Sequence, residues 1–477
     1  LNTSKSVLLV KPAVLGLAQE LFRDTGVTIR VDGCRYLGAA IGTAEFLQSY
    51  VEGKVQSWIG QLERLTVIAS SQPQAAFSAF TSGLKHKWSF LCRTMSNAAP
   101  SFGPLESAIR DKLIPAITGR QICEEDRAVL ALPCRYGGLG IIDPTQLASQ
   151  HQSSKQITRT LQQNIIQQVM PLGDAICDGQ AAKKAVQTSA RNALRTHAAT
   201  VCSSLSADQQ RTVELAAEKG ASGWLTCRPL KRHGFAMAKA EFRDGLHLRY
   251  NWRLPHMPSA CSCGSQFTIA HALSCPTGGY PSIRHNEIRD VTAGLLKRVA
   301  TNVSVEPHLE PLSGEQLSLR TAIRADAARL DVAANGIWGG RFERTYIDVR
   351  VFNPFAPSNR SSSVSAAYTR HEKAKKRSYE QRLRDVEHAS FVPAVFSTTG
   401  GMSKCASALY KRIAVLLAEK TGESYSLTMA FIRCRLSVAL IRASVMCVRG
   451  SRSMFSAHAP VASSAAVVAA EASIMAD

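Results

Sequence analysis

The stretch RLDVAANGIWGGRFERTYIDVRVF, residues 329–352, decides how the C-terminal half of this chain is read. Its two ends, RLDVAA and RTYIDVRVF, are rich in apolar and β-branched residues, and NGIWGGRFE between them supplies glycines for a turn. The pattern predicts two β-strands joined as a hairpin. Each strand carries one aspartate in apolar company, Asp331 and Asp348. An ionised carboxylate in such a setting is costly unless it is paired or bound to a cation. Neighbouring strands run about 5 Å apart, so a hairpin lets two carboxylates share a hard divalent cation such as Mg²⁺ through oxygen. A metal held there activates water and stabilises charge on a phosphodiester. The alternative is structural: either aspartate marks a strand end or pairs with Arg329, Arg344 or Arg350.

Working outward, HEKAKKRSYEQRLRDVEH follows at residues 371–388. On a helix, Lys373, Lys376 and Arg377 lie three or four apart and share a face that Glu380 continues. Such a face offers cations to a phosphate, or is simply a solvated surface laced with ion pairs. Upstream, RHNEIRDVTAGLLKRV predicts another helix. Before it comes CSCGSQFTIAHALSCPTGG, in which Cys261, Cys263, His271 and Cys275 provide three thiolates and one imidazole, a set suited to tetrahedral Zn²⁺. Gly264 permits the turn after the first pair, and Pro276, Gly278 and Gly279 stop the chain after the last ligand. The alternative is buried free cysteines beside an incidental histidine.

The N-terminal half is mostly helical in pattern. DGCRYLGAAIG, residues 32–42, predicts an extended run closed by glycines. In YVEGKVQSWIGQLERL, residues 50–65, Val51, Val55, Trp58, Ile59, Leu62 and Leu65 recur at helical steps and mark one buried face. LPCRYGGLGIIDP, residues 132–144, breaks that run with a tight turn. From Gln146 to Leu248 the chain is polar and Ala/Gln-rich with helical spacing, and predicts a linker of helices. The 57 basic and 36 acidic residues give a formal net charge of +21 over 477 residues, which favours a polyanionic partner. The odd count of 13 cysteines argues for reduced thiols in an intracellular compartment over a disulfide scaffold. The apolar run from Leu427 to Val448 is interrupted by Arg433, Arg435 and Arg442, so no membrane partner is expected. The chain starts without an initiator Met, as a fragment would, and its Ala/Ser-rich end after Ser451 is expected to be poorly ordered.

With these residues placed, the chain resembles the C-terminal part of a non-LTR (LINE-type) retrotransposon polyprotein that carries a restriction-like endonuclease. CRYLGAAIG resembles the closing motif of the reverse-transcriptase palm, and LPCRYGGLGIIDP the glycine motif that ends the thumb. CSCG…HALSC stands where the family has a cysteine–histidine knuckle, SIRHNEIRD resembles its Arg-His-Asn block, and RLDVAA, YIDVRV and KAKKRSYEQR resemble a PD-(D/E)xK nuclease core. The resemblance implies a multidomain α/β chain. Its parts would be a palm remnant (1–45), a helical thumb (46–145), a helical linker (146–248), a zinc knuckle (249–280), a restriction-like endonuclease with a small mixed sheet (281–450) and a tail (451–477).

It further implies Asp331 and Asp348 as Mg²⁺ ligands, Lys373 or Lys376 as the basic catalytic residue, and Glu287 as an auxiliary acid. Arg350 stands where the family's strand lysine usually is. Nucleic-acid contacts would come from Arg284, His285, Asn286, Arg350 and Arg377. The implied activity is metal-dependent nicking of target DNA to prime reverse transcription, in the nucleus. The implied partners are the DNA target, the element's RNA template and the rest of the polyprotein. No paired polymerase aspartates occur, so this chain is not expected to polymerise. The rival reading is a nucleic-acid-binding remnant without chemistry.

Overall fold

The computed structural model describes residues 2–95, 98–310 and 329–451. The Ala/Ser-rich tail lies outside the described residues. The protein is mixed α/β and divides into two compact units, Leu1–Pro133 with Gly138–Leu205, and Cys134–Gly137 with Ser206–Asp477. These units cut across the boundaries expected from the sequence. Residues 146–248 are no separate linker, because their first part belongs to one unit and their second part to the other.

In the first unit, β1 (Val7–Leu9) pairs in parallel with β2 (Thr28–Arg30). The expected extended run is a hairpin, β3 (Gly33–Tyr36) antiparallel to β4 (Ala39–Gly42). Its turn places Leu37 and Gly38 at positive φ, 47° and 85°, as a two-residue turn between twisted strands requires. Helix α1 (Ala44–Ser71) begins where the Thr43 hydroxyl accepts from the Phe46 N–H. It buries Val51, Val55, Trp58 and Leu62, the stripe anticipated from spacing. Trp58 meets Trp88 and Phe102 at ring distances of 6.0 and 6.3 Å, the centre of an aromatic core. Helices α2 (Pro144–Ile166) and α3 (Leu172–Ser203) pack on each other as a long hairpin. Among the described residues no helix is long and apolar enough to cross a membrane.

The second unit begins with α4 (Ala207–Ala217), started by a Ser206–Gln209 capping box. Its core is a four-stranded sheet in the order β5 (Thr301–Val305), β6 (Val332–Asn335), β7 (Arg344–Phe352), β8 (Ser390–Ser397). The hairpin read from residues 329–352 is present: β6 runs antiparallel to β7, with Val332 opposite Ile347 and Asn335 opposite Arg344. Strand β8 lies parallel to β7 over Thr345–Phe352, and a parallel neighbour demands a crossover. Helix α6 (Val364–Asp385) supplies it.

Burial on both sides explains why these strands are apolar at almost every position. One face carries Val332, Ala334, Ile347, Val349, Ala394 and Phe396 against α5 (Tyr280–Leu296), α7 (Lys404–Thr421) and α8 (Tyr425–Arg449). The other carries Ala333 and Tyr346, packed with Leu383 and Tyr379 of α6. Phe352 and Val395 meet Val364, Ala367 and Tyr368 on the same side. Side chains alternate along a strand, so Asp348 and Arg350 belong to the α6 face.

Candidate functional site

Asp348 stands in the middle of β7 at 6% exposure, the one acid among the buried residues of the sheet. Its partner is Lys375 of α6, whose Nζ lies 3.1 Å from Oδ1 and 2.9 Å from Oδ2. Oδ2 is buried and receives no well-aligned hydrogen bond. Burial pushes the Asp348 carboxyl above the usual carboxylate range; the Lys375 ammonium opposes that, and the charge of Asp331 adds to it.

Asp331 sits immediately before β6, where the antiparallel register carried on from Val332 and Ile347 sets it opposite Asp348. Both of its oxygens are engaged. Oδ1 lies 2.8 Å from His285 Nε2, and Oδ2 accepts from the Val349 N–H at 2.6 Å. The two aspartates are therefore brought together across one strand pair, with a lysine on the first and a histidine on the second.

The basic residue at Asp348 is Lys375, not Lys373 or Lys376. A helix turns about 100° per residue, so Lys373 points about 200° away from Lys375. It borders, with Lys376, Arg377 and Glu380, an open outer groove of α6. Lys376 Nζ lies 3.7 Å from Glu380, a solvated ion pair. The sequence did hold the signal for Lys375. The face of α6 turned to the sheet runs Val364, Tyr368, His371, Lys375, Tyr379, Leu383 at three- and four-residue steps, and Lys375 is the lysine on it.

The Arg-His-Asn block also sorts by helix face. Arg284, expected to contact nucleic acid, is 3% exposed and donates to the Leu273 carbonyl at 3.0 Å. It ties the cysteine-rich segment to α5, and cannot reach a phosphate from there. His285 faces Asp331, while Asn286 is exposed. Glu287 lies about 200° around α5 from His285. Burial, then Asp290, raises its carboxyl, and Arg442 opposes them. No hydrogen bond or ion pair joins Glu287 to Asp331 or Asp348 among the described residues. Arg350 is exposed on the Asp348 side of β7 and its charge reaches His371. Burial, then Arg350, pushes His371 down to about 4, so its ring is neutral at pH 7.

Cys261, Cys263, His271 and Cys275 bring their donor atoms within 4.8 Å of one another, and could hold a metal such as zinc. Cys261 Sγ lies 3.9 Å from Cys275 Sγ, and Cys263 Sγ 3.3 Å from His271 Nε2. A tetrahedral zinc with ordinary bond lengths needs sulfur–sulfur edges of about 3.8 Å and sulfur–nitrogen edges of about 3.6 Å. The residues fit. Hydrogen bonds from Ser265 hold the Cys263 thiol at about 6, which favours the thiolate a metal requires. Among the described residues, this is the one group of three or more such side chains that converges so tightly.

The module is fastened to the sheet by a side chain that the sequence reading did not single out. Asn353, just past β7 and 5% exposed, donates from Nδ2 to the Ala270 carbonyl at 2.9 Å and to Ser274 Oγ at 3.0 Å. Arg284 makes the second tie, to Leu273. No protein-family model matches this chain, and no curated protein matches it either.

Proposed function

We propose that the second unit is a Mg²⁺-dependent endonuclease of restriction-like architecture, within the C-terminal part of a non-LTR retrotransposon polyprotein. The observation that carries the reading is the pairing of Asp331 and Asp348 across β6 and β7 with Lys375 on the buried member. A buried ion pair on a sheet that is otherwise apolar is poor material for stability and good material for chemistry. The donor set is all carboxylate oxygen, which suits Mg²⁺, and Asp348 Oδ2 is an acceptor with spare capacity. When bound, Mg²⁺ would polarise a phosphoryl oxygen and lower the pKa of a coordinated water.

The chain's own residues do the rest. Lys375 opposes the effect of burial on Asp348 and sets a positive charge beside it. His285 and the Val349 N–H fix the orientation of Asp331. Lys373, Lys376 and Arg377 on the outer groove of α6 attract backbone phosphates. The zinc module braces the end of β7 through Asn353. The substrate class is DNA, cut by attack of water on phosphorus with loss of one ester P–O bond. The element's RNA, the rest of the polyprotein and a nuclear site of action follow from the same reading.

One observation favours the rival, nucleic-acid binding without cleavage: both oxygens of Asp331 are already hydrogen-bonded within the protein. Nicking of supercoiled plasmid by the full chain separates the two. Cleavage that needs Mg²⁺, stops with chelator and is lost in Asp348→Asn with DNA binding retained supports the nuclease. A parent protein that binds but never nicks, or an Asp348→Asn protein that nicks equally well, overturns it.

A further inference from the structure

Three polar side chains of α6 and α5 cluster at the paired aspartates: two bond them directly and one contacts the bonded lysine. Lys375 is held by Asp348 and His285 by Asp331. The third is Tyr379, one helical turn past Lys375 on the same face. Its ring lies under the ammonium, with Lys375 Nζ 5.8 Å from the ring centroid, and rests on Phe391 at 6.0 Å. Its hydroxyl has no hydrogen-bond partner among the described residues, although the ring is half-buried. Burial, then the charges of Asp348 and Asp331, pushes the phenol up to about 12. The neutral phenol, a donor, is the form present at neutral pH, and the ring lies against the ammonium that holds Asp348.

We propose that Tyr379 is a further catalytic residue of this site, with its hydroxyl donating a hydrogen bond to a non-bridging oxygen of the scissile phosphodiester and its ring seating Lys375. The inference rests on the nuclease reading above. Its logic is charge balance. A phosphodiester brought to two carboxylates meets repulsion, and charge grows on its oxygens as water attacks. The ammonium is shared with Asp348 and the imidazole with Asp331, so an uncommitted donor carried on the ring beneath that ammonium serves the transition state more than the ground state. Phe391 and Leu383 belong to the same packed cluster as the ring and limit its movement.

The test compares the full-length parent, Tyr379→Phe, Tyr379→Leu and Asp348→Asn on identical preparations. Mg²⁺-dependent nicking is followed under single-turnover conditions, DNA binding is measured without Mg²⁺, and thermal melting is recorded for each. Tyr379→Phe keeps the ring and should lower the nicking rate about 100-fold, the scale of removing one preorganised donor, with binding and melting unchanged. Its pH–rate profile between pH 6 and 9 should keep the parent's shape, because the phenol does not titrate in that range. Tyr379→Leu also removes the ring from beneath Lys375 and should be slower still. Parent-rate nicking by Tyr379→Phe while Asp348→Asn is inert overturns this inference and leaves the nuclease reading intact. A slow Tyr379→Phe that also binds or melts poorly assigns the residue to structure alone. A parent that does not nick overturns both.

Discussion

Replacing Lys375 by Met, a side chain of similar length without charge, isolates what the ammonium does for Asp348. The carboxylate is 6% exposed, Lys375 is its one cationic contact within 4 Å among the described residues, and Oδ2 has no well-aligned hydrogen bond to fall back on. Removing one partner of a buried pair costs about 3–5 kcal/mol, because the other charge is left uncompensated. For a domain of this size that corresponds to a melting shift of roughly 6–20 °C. The loss depends on pH. Burial already raises the folded Asp348 carboxyl above its unfolded value, and loss of Lys375 raises it further. A raised acid binds more protons folded than unfolded, so stability falls as pH climbs from the unfolded value through the folded one. The penalty in Lys375→Met should therefore be fully present at pH 8, shrink on acidification, and vanish below about pH 4, where both states are protonated. Lys373→Met, on the outer groove, should stay within about 0.5 kcal/mol of the parent. Differential scanning fluorimetry at pH 8 and pH 5, with plasmid nicking at pH 8, reads both effects. Equal melting for Lys375→Met and parent at pH 8, a penalty that ignores pH, or a nicking defect in Lys373→Met instead would each refute the reasoning.

Two further outcomes follow from the cysteine-rich module and its fastening. Purified protein should hold one zinc per chain, measured by metal analysis, and Cys263→Ser or strong chelation should release it and lower the melting temperature, since the module is tied to the sheet through Asn353. Arg284→Ala should destabilise the fold by about 1–3 kcal/mol, because the buried Leu273 carbonyl loses its donor, while the salt dependence of DNA binding stays that of the parent; a reduced salt slope would mean that Arg284 contacts phosphate after all.

What the sequence made legible follows period and composition. The hairpin of residues 329–352 was visible because β-branched runs flank a glycine-rich turn, and the aspartates stood out because apolar neighbours make them costly. The knuckle was visible because its ligands lie within fifteen residues of sequence, Cys261 to Cys275, so spacing alone nearly fixes their geometry. The lysine was misplaced because charge density was weighed ahead of helix phase: Lys373, Lys376 and Arg377 form the denser cluster, whereas Lys375 shares a face with Tyr368, Tyr379 and Leu383. Arg284 was misjudged for a related reason. A basic or acidic residue next to a motif residue on a helix points elsewhere, and only the packing of α5 on α8 tells which side is interior. The two-unit division was illegible because the turn residues Cys134–Gly137 cluster with a unit whose main part begins only at Ser206. Gly137 shows what the glycine motif is for: at φ 87°, an added Cβ would sit 2.6 Å from the Val213 carbonyl of α4.

The same reasoning separates what this sheet needs for folding from what it keeps for chemistry. Ile347 and Val349, flanking Asp348, are fully buried on the opposite face, and Ala333 and Tyr346 show that apolar and aromatic residues fit the α6 face. An apolar side chain at position 348 facing an apolar one at 375 would therefore pack without the desolvation cost of two charges, and such replacements are often neutral or stabilising by about 1–4 kcal/mol. Folding gives no reason to retain the pair. Nor does register, since β7 is already fixed against β6 and β8 by eleven backbone-aligned residue pairs besides that of Asp348. The features that surround the pair point the same way: a second acid set opposite it, a histidine bonded to that acid, and a tyrosine beside the lysine whose hydroxyl has no partner among the described residues. Each adds little to the packing of the sheet, and each has a role under the nuclease proposal.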